Sequence, residues 1–340
     1  MNHSTKNSII GLALGDAYGK NTEFVPFEYL RRDNYDPSDP LTTPEGEKEE
    51  HLLVTDDTQM SIYVTEALGY ITDFHNEEKV AQAFIKSFLN WFDDERNTHD
   101  RAPGNACMGS ISLMKRHLAS PFASLAPGAY ADENSMGCGT IMRSGWMGLD
   151  TRIPDDAFDR VVSIQSEITH GHPLATGSSV ILARLVREVR ENGLTPDRYL
   201  EYALTLVEQK PQWAELSEYL ANVELAVSKM EEGLDYFYGY DPCSDLGGGW
   251  IAPETLALAI AIGTAYHSTP GLALQRTALT GGDSDSIGAV TGALIGAGHK
   301  DGPVGEWEAQ YEKLEPFYKD ILDNQVYPYL VQEDAYAESE

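Results

Sequence analysis

The chain has 340 residues, with 54 acidic and 24 basic side chains and a formal net charge of −30 at pH 7. This charge argues against binding to nucleic acid or to an anionic membrane, and we expect neutral or basic partners. Three cysteines without metal-type spacing (Cys107, Cys138, Cys243) argue against a disulfide framework and fit a reducing cytoplasm. No apolar run of about 18 residues and no signal-type segment is visible, so we predict a cytoplasmic protein.

The first predicted helix carries glycines at a four-residue spacing. In IIGLALGDAYGKNTEF, Gly11, Gly15 and Gly19 lie on one helical face, where a neighbouring helix can pack closely. The stretch ends in Glu23, beside Phe24. A glutamate in such a position is commonly an ordinary exposed charge. A carboxylate at the rim of a site is the alternative, and the sequence leaves both open.

An acidic cluster begins the next long predicted helix. An Asp- and Pro-rich run over 33–50 is typical of a surface loop, which we place between the first two helices. The sequence TDDT follows at 55–58. Adjacent carboxylates such as Asp56 and Asp57 repel, so that each raises the pKa of the other unless a cation lies between them.

Two turns rich in small residues follow the acidic cluster. RAPGNACMGS covers 101–110 and NSMGCGTIMRSG covers 134–145. Glycine-rich turns ahead of helices can present backbone N–H groups to an anion such as a phosphate. Taken alone, each turn is equally well explained as local structure.

The rest of the chain is predicted to be mainly helical. Apolar residues recur at helical spacing over 77–92, 174–191, 216–232 and 252–267. Proline and glycine bound these segments, and convincing alternating strand patterns are missing. Because no linker divides the chain, we predict one compact all-α domain over 1–340. Its motif-bearing core covers about 8–298, and a C-terminal helix and acidic tail occupy 303–340.

A second acidic cluster begins the last predicted helix of small residues. TALTGGDSDSIGAVTGALIGA covers 277–297 and places Asp283, Ser284, Asp285 and Ser286 in a row. Serine and aspartate cap helices, but one cap needs only one such residue. A pure capping role therefore accounts for part of this cluster.

Together, the two acidic clusters suggest a metal site. If they meet in space, their carboxylates concentrate negative charge that two divalent cations would neutralise. Oxygen ligands without histidine or cysteine favour Mg²⁺, followed by Mn²⁺ or Ca²⁺, over Zn²⁺. The candidate ligands are Thr55, Asp56, Asp57, Asp283, Asp285 and Ser286.

In chain order, these motifs resemble the ADP-ribosylglycohydrolase family, which includes dinitrogenase-reductase-activating glycohydrolases and ADP-ribosylarginine and ADP-ribosylserine hydrolases. The resemblance covers about 10–297. It depends on GDAYGKNTE, TDDTQM, RAPGN, GCGTIMR, THGHP, GGGWIAPETLALA and GGDSDSIGAVTGALIGA. Cys138 stands where many members carry asparagine, and Ala102 and Pro103 stand where some carry an aspartate. These departures leave the details of substrate preference open.

The resemblance implies a role for each matched residue. The six oxygen ligands match the family's magnesium ligands, with Ser286 where many members have threonine. Glu23 matches a glutamate near the scissile bond, and His170 matches a histidine that lines the ADP-ribose cleft, although a purely local turn role for His170 stays open. Loops that hold the diphosphate and riboses match Gly104, Asn105, Ser135, Met136, Gly137 and Gly139. The candidates for proton transfer and catalysis are Glu23, Asp56, Asp57 and Asp283.

The implied reaction is hydrolysis of a bond between ADP-ribose and a protein side chain, with free ADP-ribose as product. Cleavage at the anomeric carbon needs a polarised sugar, an activated water and a protonated leaving group. We expect an arginine linkage, because an acidic protein attracts a guanidinium cation. Serine-linked ADP-ribose and small ADP-ribose conjugates are alternative substrates. Blocking of a basic ADP-ribosylating toxin by an immunity protein is an alternative of another class.

Overall fold

The computed structural model describes residues 3–97, 101–118, 120, 124–232 and 237–331. Within these ranges the regular elements are helices, and β-pairing is limited to isolated bridges, which agrees with the all-α prediction. The α-helices are α1 His3–Gly19, α2 Phe27–Arg32, α3 Asp56–Tyr70, α4 Glu77–Asp93, α5 Asn105–His117, α6 Asp155–Glu167, α7 Pro173–Asn192, α8 Tyr199–Glu208, α9 Leu216–Leu220, α10 Val223–Glu231, α11 Cys243–Leu246, α12 Ala252–Tyr266, α13 Pro270–Ala278, α14 Ser284–Gly298, α15 Gly305–Tyr311, α16 Pro316–Ile321 and α17 Tyr327–Leu330. Among the helices described, none is both long and apolar enough to cross a bilayer.

Two small-residue helices, α1 and α14, form the centre of the molecule. Almost every residue of each is buried, and α7, α12 and α13 pack around α14. A Cβ atom on Gly11 would lie 2.3 Å from the carbonyl oxygen of Gly292, and one on Gly15 would lie 2.0 Å from that of Gly288. The two backbones are therefore in direct contact, as the glycine spacing of the first helix predicts.

Most of the predicted helices are confirmed, and one is wrong. The segments 77–92, 174–191 and 252–267 correspond closely to α4, α7 and α12. The segment 216–232 is instead divided into α9 and α10. Apolar residues keep their helical spacing across the break, so the sequence pattern does not reveal it. The break occurs at Asn222, which directly precedes α10, and asparagine is more favourable beside a helix than within one.

Two boundaries also differ from the sequence prediction. The loop over 33–50 follows α2, so it connects the second helix to the third. The segment from 303 contains α15, α16, a π-helical turn at Leu322–Val326 and α17 where one helix is predicted. Pro316 begins a new helix there, since proline lacks the N–H that a helix interior needs. The acidic tail at 332–340 lies outside the described residues.

Candidate active site

A cleft of about 370 Å³ lies where the beginnings of α3, α5 and α14 meet the turn after α1. Both acidic clusters line it, so the condition that they meet in space is fulfilled. The predicted site residues along its wall are Glu23, Asp56, Asp57, Gly104, Asn105, Ser135, Gly137, Gly139, His170, Asp283, Asp285 and Ser286. Two predicted site residues, Thr55 and Met136, do not line the cleft and instead hold the backbone around it.

The first acidic cluster is fixed by a buried aspartate on α1. Thr55 caps α3, because its hydroxyl accepts the backbone N–H of Asp57 at 3.3 Å. The Asp16 carboxylate accepts the backbone N–H groups of Thr55 at 2.9 Å and Thr58 at 3.0 Å, and the Thr58 hydroxyl. Asp16 therefore sets the orientation in which α3 presents its carboxylates. Asp16 was not predicted from the sequence, because its role comes from contacts with residues of α3 that are distant in the chain.

An ion pair supports the same segment from its other side. Arg101 bonds both carboxylate oxygens of Glu315, at 2.7 and 2.9 Å, and also donates to the carbonyl oxygen of Val54. Glu315 in turn accepts the backbone N–H of Val54 at 2.9 Å. The residue before the TDDT motif is thus held at both its N–H and its C=O, and Arg101 places the RAPGN turn beside it.

The second acidic cluster lies directly against the end of α1. The Ser284 hydroxyl donates to the carbonyl oxygen of Gly19 at 2.8 Å, and the Thr22 hydroxyl donates to Ser284 at 3.0 Å. These contacts connect the turn that carries Glu23 to the start of α14. Carboxylate oxygens of Glu23, Asp283 and Asp285 lie within 4.8 Å of one another.

Cys138 contacts the acidic cluster directly. Its thiol donates to Asp283 Oδ2 at 2.8 Å. The backbone N–H of Asp283 is held by the carbonyl oxygen of Gly248 at 2.7 Å. At this departure from the family pattern, a thiol therefore supplies a hydrogen bond to one of the candidate metal ligands.

Five carboxyl groups in and beside the cleft resist ionisation when no cation is present. Burial, followed by repulsion from Asp285, raises the pKa of Glu23 to about 10 and that of Asp16 to about 7. The same two causes raise the pKa of Asp56, Asp57 and Asp283 well above the usual range. In the metal-free protein, Glu23 with a pKa of about 10 is therefore protonated at neutral pH and can donate a proton.

The donor set fits hard divalent cations. The buried Asp57 Oδ1 has no hydrogen-bond partner, which is costly unless another group binds it. A bound cation would reduce the repulsion among the close carboxylates, which contributes to the raised pKa of Asp57. Oxygen ligands of this kind suit Mg²⁺ or Mn²⁺. The Thr55 hydroxyl is occupied by contacts with Asp57, so its role as a sixth ligand stays a prediction.

Two glycine-rich turns line the same cleft as the acidic clusters. A Cβ atom on Gly104, at the start of α5, would meet no atom within 4 Å. Cβ atoms on Gly137 and Gly139 would lie 3.0 and 3.2 Å from the ring of His170. Met136 is held through its carbonyl oxygen, which accepts the N–H of Ala252 at 2.8 Å. The Gly104 turn is therefore open, whereas Gly137 and Gly139 pack against His170 where a side chain would not fit.

His170 is oriented by a hydrogen-bonded chain. Its Nδ1 atom lies 2.8 Å from the Thr169 hydroxyl, which accepts a bond from the buried Arg143 at 2.7 Å. Burial, with the Arg143 charge as a smaller cause, lowers the pKa of His170 to about 3, so the ring is neutral. His170 thus both makes a local hydrogen bond with Thr169 and lines the cleft. Its role in binding ADP-ribose stays a prediction.

Two aromatic rings at the rim were missed by our sequence analysis. Phe24 and Trp250 line the cleft and stack with their ring centroids 5.2 Å apart and an angle of 17° between their planes. Both lie next to motif residues, since Phe24 follows Glu23 and Trp250 ends the GGG turn. Nothing in local periodicity predicts that the two rings meet.

The family assignment agrees with this geometry. The sequence model described as ADP-ribosylglycohydrolase matches residues 3–332, nearly the whole chain. The chain belongs to this family. The family supports hydrolase activity of the ADP-ribosylglycohydrolase type, and the all-α glycohydrolase fold is confirmed.

Two comparisons show how far the similarity extends. A relative from Archaeoglobus fulgidus, described as an uncharacterized protein, is 26% identical over 314 residues, which cover 87% of this chain and 88% of the relative. A solved structure described as an ADP-ribosylglycohydrolase-related protein complex aligns with a TM-score of 0.60 at 22% identity. That alignment covers 94% of this chain and 95% of the other, and at this identity it supports the fold alone.

Proposed function

We propose that this protein is a magnesium-dependent hydrolase that removes ADP-ribose from modified arginine side chains of proteins in the cytoplasm. The observation that carries the proposal is the meeting of two carboxylate clusters in one cleft, with a glutamate of strongly raised pKa beside the second of them. The family assignment supports hydrolysis of an ADP-ribosyl bond. The acidic chain favours a cationic linkage.

In this proposal the acidic residues hold the ribose and the water in place. The residues that would hold two magnesium ions are Thr55, Asp56, Asp57, Asp283, Asp285 and Ser286. When bound, magnesium supplies a Lewis acid that polarises ribose hydroxyls and increases the acidity of water. Asp57 Oδ1, buried and unpartnered, is free to bind. Asp16 and Thr55 keep α3 in the orientation that this arrangement needs.

Glu23 is the residue we propose for proton transfer. Burial is the first cause of its raised pKa and would persist when magnesium neutralises the neighbouring carboxylates, so Glu23 can hold a proton for the departing nitrogen, as an oxocarbenium-like transition state requires. Its carboxylate lies within reach of the oxygens of Asp283 and Asp285, so it is close to the reacting sugar if these bind the ribose through magnesium. Asp56, Asp57 and Asp283 are the remaining candidates for moving a proton to or from water.

The glycine-rich turns that line the cleft are proposed to bind the diphosphate and the riboses. The turn at Gly104 and Asn105, where α5 begins, has room for phosphate oxygens, and the N–H groups at the start of α5 can bind them, while the Gly104 backbone also bonds Asp56. The Ser135 to Gly139 turn and the neutral His170 lie beside it in the same cleft. Neutral donors bind an anionic diphosphate without adding to the crowded charge of the acidic clusters.

The test is a comparison of linkages with one preparation of protein. Proteins carrying arginine-, serine- and glutamate-linked ADP-ribose are incubated with the wild type, in magnesium and in excess chelator, and released ADP-ribose is measured. We expect release from arginine, in magnesium only. Asp57→Asn should abolish release, while Asp301→Asn, on the exposed surface, should leave it unchanged. Full activity in chelator, or release from another linkage only, would contradict the proposal.

A further inference from the structure

We propose that the Phe24–Trp250 pair is the determinant that selects a planar cationic leaving group, the guanidinium of the modified arginine. This inference depends on the proposed function, because it names the part of the substrate that the cleft rim would recognise. The two rings lie at the edge of the cleft beside Glu23.

The two rings are exposed in a way that core packing does not explain. Phe24 is 67% exposed and Trp250 is 41% exposed, whereas none of the other four tryptophans exceeds 5%. All five tryptophans lie in the described part of the chain. Large rings that stay in water gain little from burial, so their stacked arrangement at a cleft is better explained by an interaction with a bound group.

The backbone at both rings is specialised. Phe24 adopts φ 64°, a left-handed conformation that is rare for an aromatic residue and that persists only when its surroundings enforce it. Trp250 follows Gly247 and Gly249, whose φ values are 89° and 80°. Thr255 holds this turn by donating to the carbonyl oxygen of Gly249 at 2.7 Å. The chain thus uses unusual conformations on both sides to bring the rings together.

The turn that carries Trp250 is also joined to both walls of the cleft. The carbonyl oxygen of Trp250 accepts the N–H of Cys138 at 3.2 Å, and that of Gly248 accepts the N–H of Asp283 at 2.7 Å. A Cβ atom on Gly282 would lie 2.0 Å from the Gly248 carbonyl oxygen. The rings therefore have a fixed position relative to the acidic cluster.

The charge around the pair favours a cation. Glu23 precedes Phe24 in the chain, and its carboxylate groups with those of Asp283 and Asp285. A guanidinium placed on an aromatic face is attracted by the ring's electrons and stacks with it as a flat group. The net charge of −30 on the whole chain adds a long-range attraction for the same cation. A serine oxygen is neutral and has no flat face, so the pair offers it neither contribution.

A binding experiment tests the ring contact independently of catalysis. Trp250 is the exposed tryptophan, so quenching of the protein's fluorescence by neutral acrylamide reports mainly on this ring. We expect N-acetylarginine amide to protect the fluorescence from quenching in the wild type and much less in Phe24→Leu, which keeps the Trp250 fluorophore but removes the ring stacked on it. N-acetylcitrulline amide is the matched probe, since its urea group is planar and uncharged, and it should protect much less. Equal protection by both probes, or by neither, would overturn the inference.

A kinetic experiment tests the consequence for selectivity. We expect Phe24→Leu and Trp250→Leu to lower kcat/KM for arginine-linked ADP-ribose about tenfold, which corresponds to about 1.4 kcal/mol. Phe24→Tyr and Trp250→Phe keep an aromatic face and should retain most of the activity. Tyr238→Leu, at an exposed aromatic residue away from the cleft wall, is the control and should change nothing. Binding of free ADP-ribose should be the same in all five variants.

Several outcomes separate this inference from the proposed function. If the leucine variants weaken binding of ADP-ribose itself, or reduce cleavage of every linkage equally, the rings bind the ADP-ribose half and the inference is wrong. If the wild type cleaves no arginine linkage, the proposed function fails, while the fluorescence experiment still decides whether the rings bind a guanidinium. Melting temperatures identify a variant that does not fold. If one of the two leucine variants fails in this way, the other still tests the inference.

Discussion

One carboxylate, that of Asp285, repels all of its acidic neighbours in the cleft. Its charge contributes to the raised pKa values of Asp16, Glu23, Asp56, Asp57 and Asp283. In the protein without cations, this repulsion opposes folding. The acidic clusters therefore cost stability that a bound cation would return.

Asp285→Asn should separate stability from function. Because the substitution removes the repulsion, the free energy of unfolding of the metal-free protein should rise, by roughly 1–3 kcal/mol. The stabilisation by magnesium and the hydrolase activity should both be lost. Thermal unfolding with and without magnesium measures the first two effects. If the variant were less stable than the wild type without metal, the repulsion would not be the dominant effect of Asp285.

Glu23→Gln tests the proton-transfer role. The amide cannot donate a transferable proton, so turnover should fall about 10²-fold or more while the affinity for ADP-ribose is largely kept. Single-turnover kinetics and calorimetric titration of ADP-ribose measure the two quantities. Since the pKa of Glu23 is raised mainly by burial, Glu23→Gln should also not destabilise the metal-free fold. Unchanged turnover would remove Glu23 from the mechanism.

At the scale of elements, the contact between α1 and α14 brings the two halves of the site together. Gly15→Ala would place a methyl group 2.0 Å from the backbone carbonyl of Gly288, which cannot rotate away. We expect a loss of about 3 kcal/mol or more in the free energy of unfolding, together with loss of activity, as the helices separate. Chemical denaturation measures the loss.

A matched glycine provides the control for this prediction. Gly109 lies within α5, and a Cβ atom there would meet nothing within 4 Å. Gly109→Ala should stabilise the protein by about 0.4–1 kcal/mol, because alanine restricts the unfolded chain. If both alanine variants had the same effect, close backbone contact would not explain the sensitivity of Gly15.

The elements themselves could be predicted from the sequence to a large extent. Helical periodicity identified α4, α7 and α12, and the glycine spacing of α1 identified a close-packed face. The partner of that face was not predicted, although α14 repeats the same spacing at Gly288, Gly292 and Gly296. Asp16 and the Phe24–Trp250 stack were missed because their importance arises only from contacts between distant segments.

At the scale of the whole molecule, stability should decrease with rising pH in the metal-free protein, and magnesium should reduce this decrease. The folded-state pKa of Asp16, about 7, lies above its usual value of 3.8, so the folded protein retains a proton that the unfolded chain releases. Without metal, stability should therefore be highest below about pH 4 for this group and decrease as the pH rises through about 7. Glu23, with a folded pKa of about 10, acts in the same direction.

Magnesium should counteract this decrease, because it binds ionised carboxylates. At a hundredfold excess over its dissociation constant, magnesium should add about 2.7 kcal/mol to the free energy of unfolding, provided that the unfolded chain does not bind it. This gain should grow with pH. Melting curves between pH 5 and 8, with and without magnesium, measure both trends, and identical curves would exclude a metal site of this kind.

The net charge of −30 leads to a further prediction about salt. If the acidic chain attracts the modified arginine and the basic surface around it, kcat/KM for the arginine-linked substrate should fall as salt is raised, since charges are screened beyond about 10 Å at 0.1 M. Serine-linked substrate should respond less. Initial rates across a salt series provide the measurement. A rate independent of salt would leave the contacts at the cleft rim as the source of any preference.

The contact between α1 and α14 also has a consequence for synthesis of the protein. Gly19 and Ser284, which touch across this interface, are 265 residues apart in the chain. At typical translation rates, the first helix waits about ten seconds to a minute before its partner is made. During that time the glycine face of α1 has no helix to pack against, and the acidic cleft cannot form. A nascent chain should therefore be inactive and dependent on chaperones until α14 leaves the ribosome.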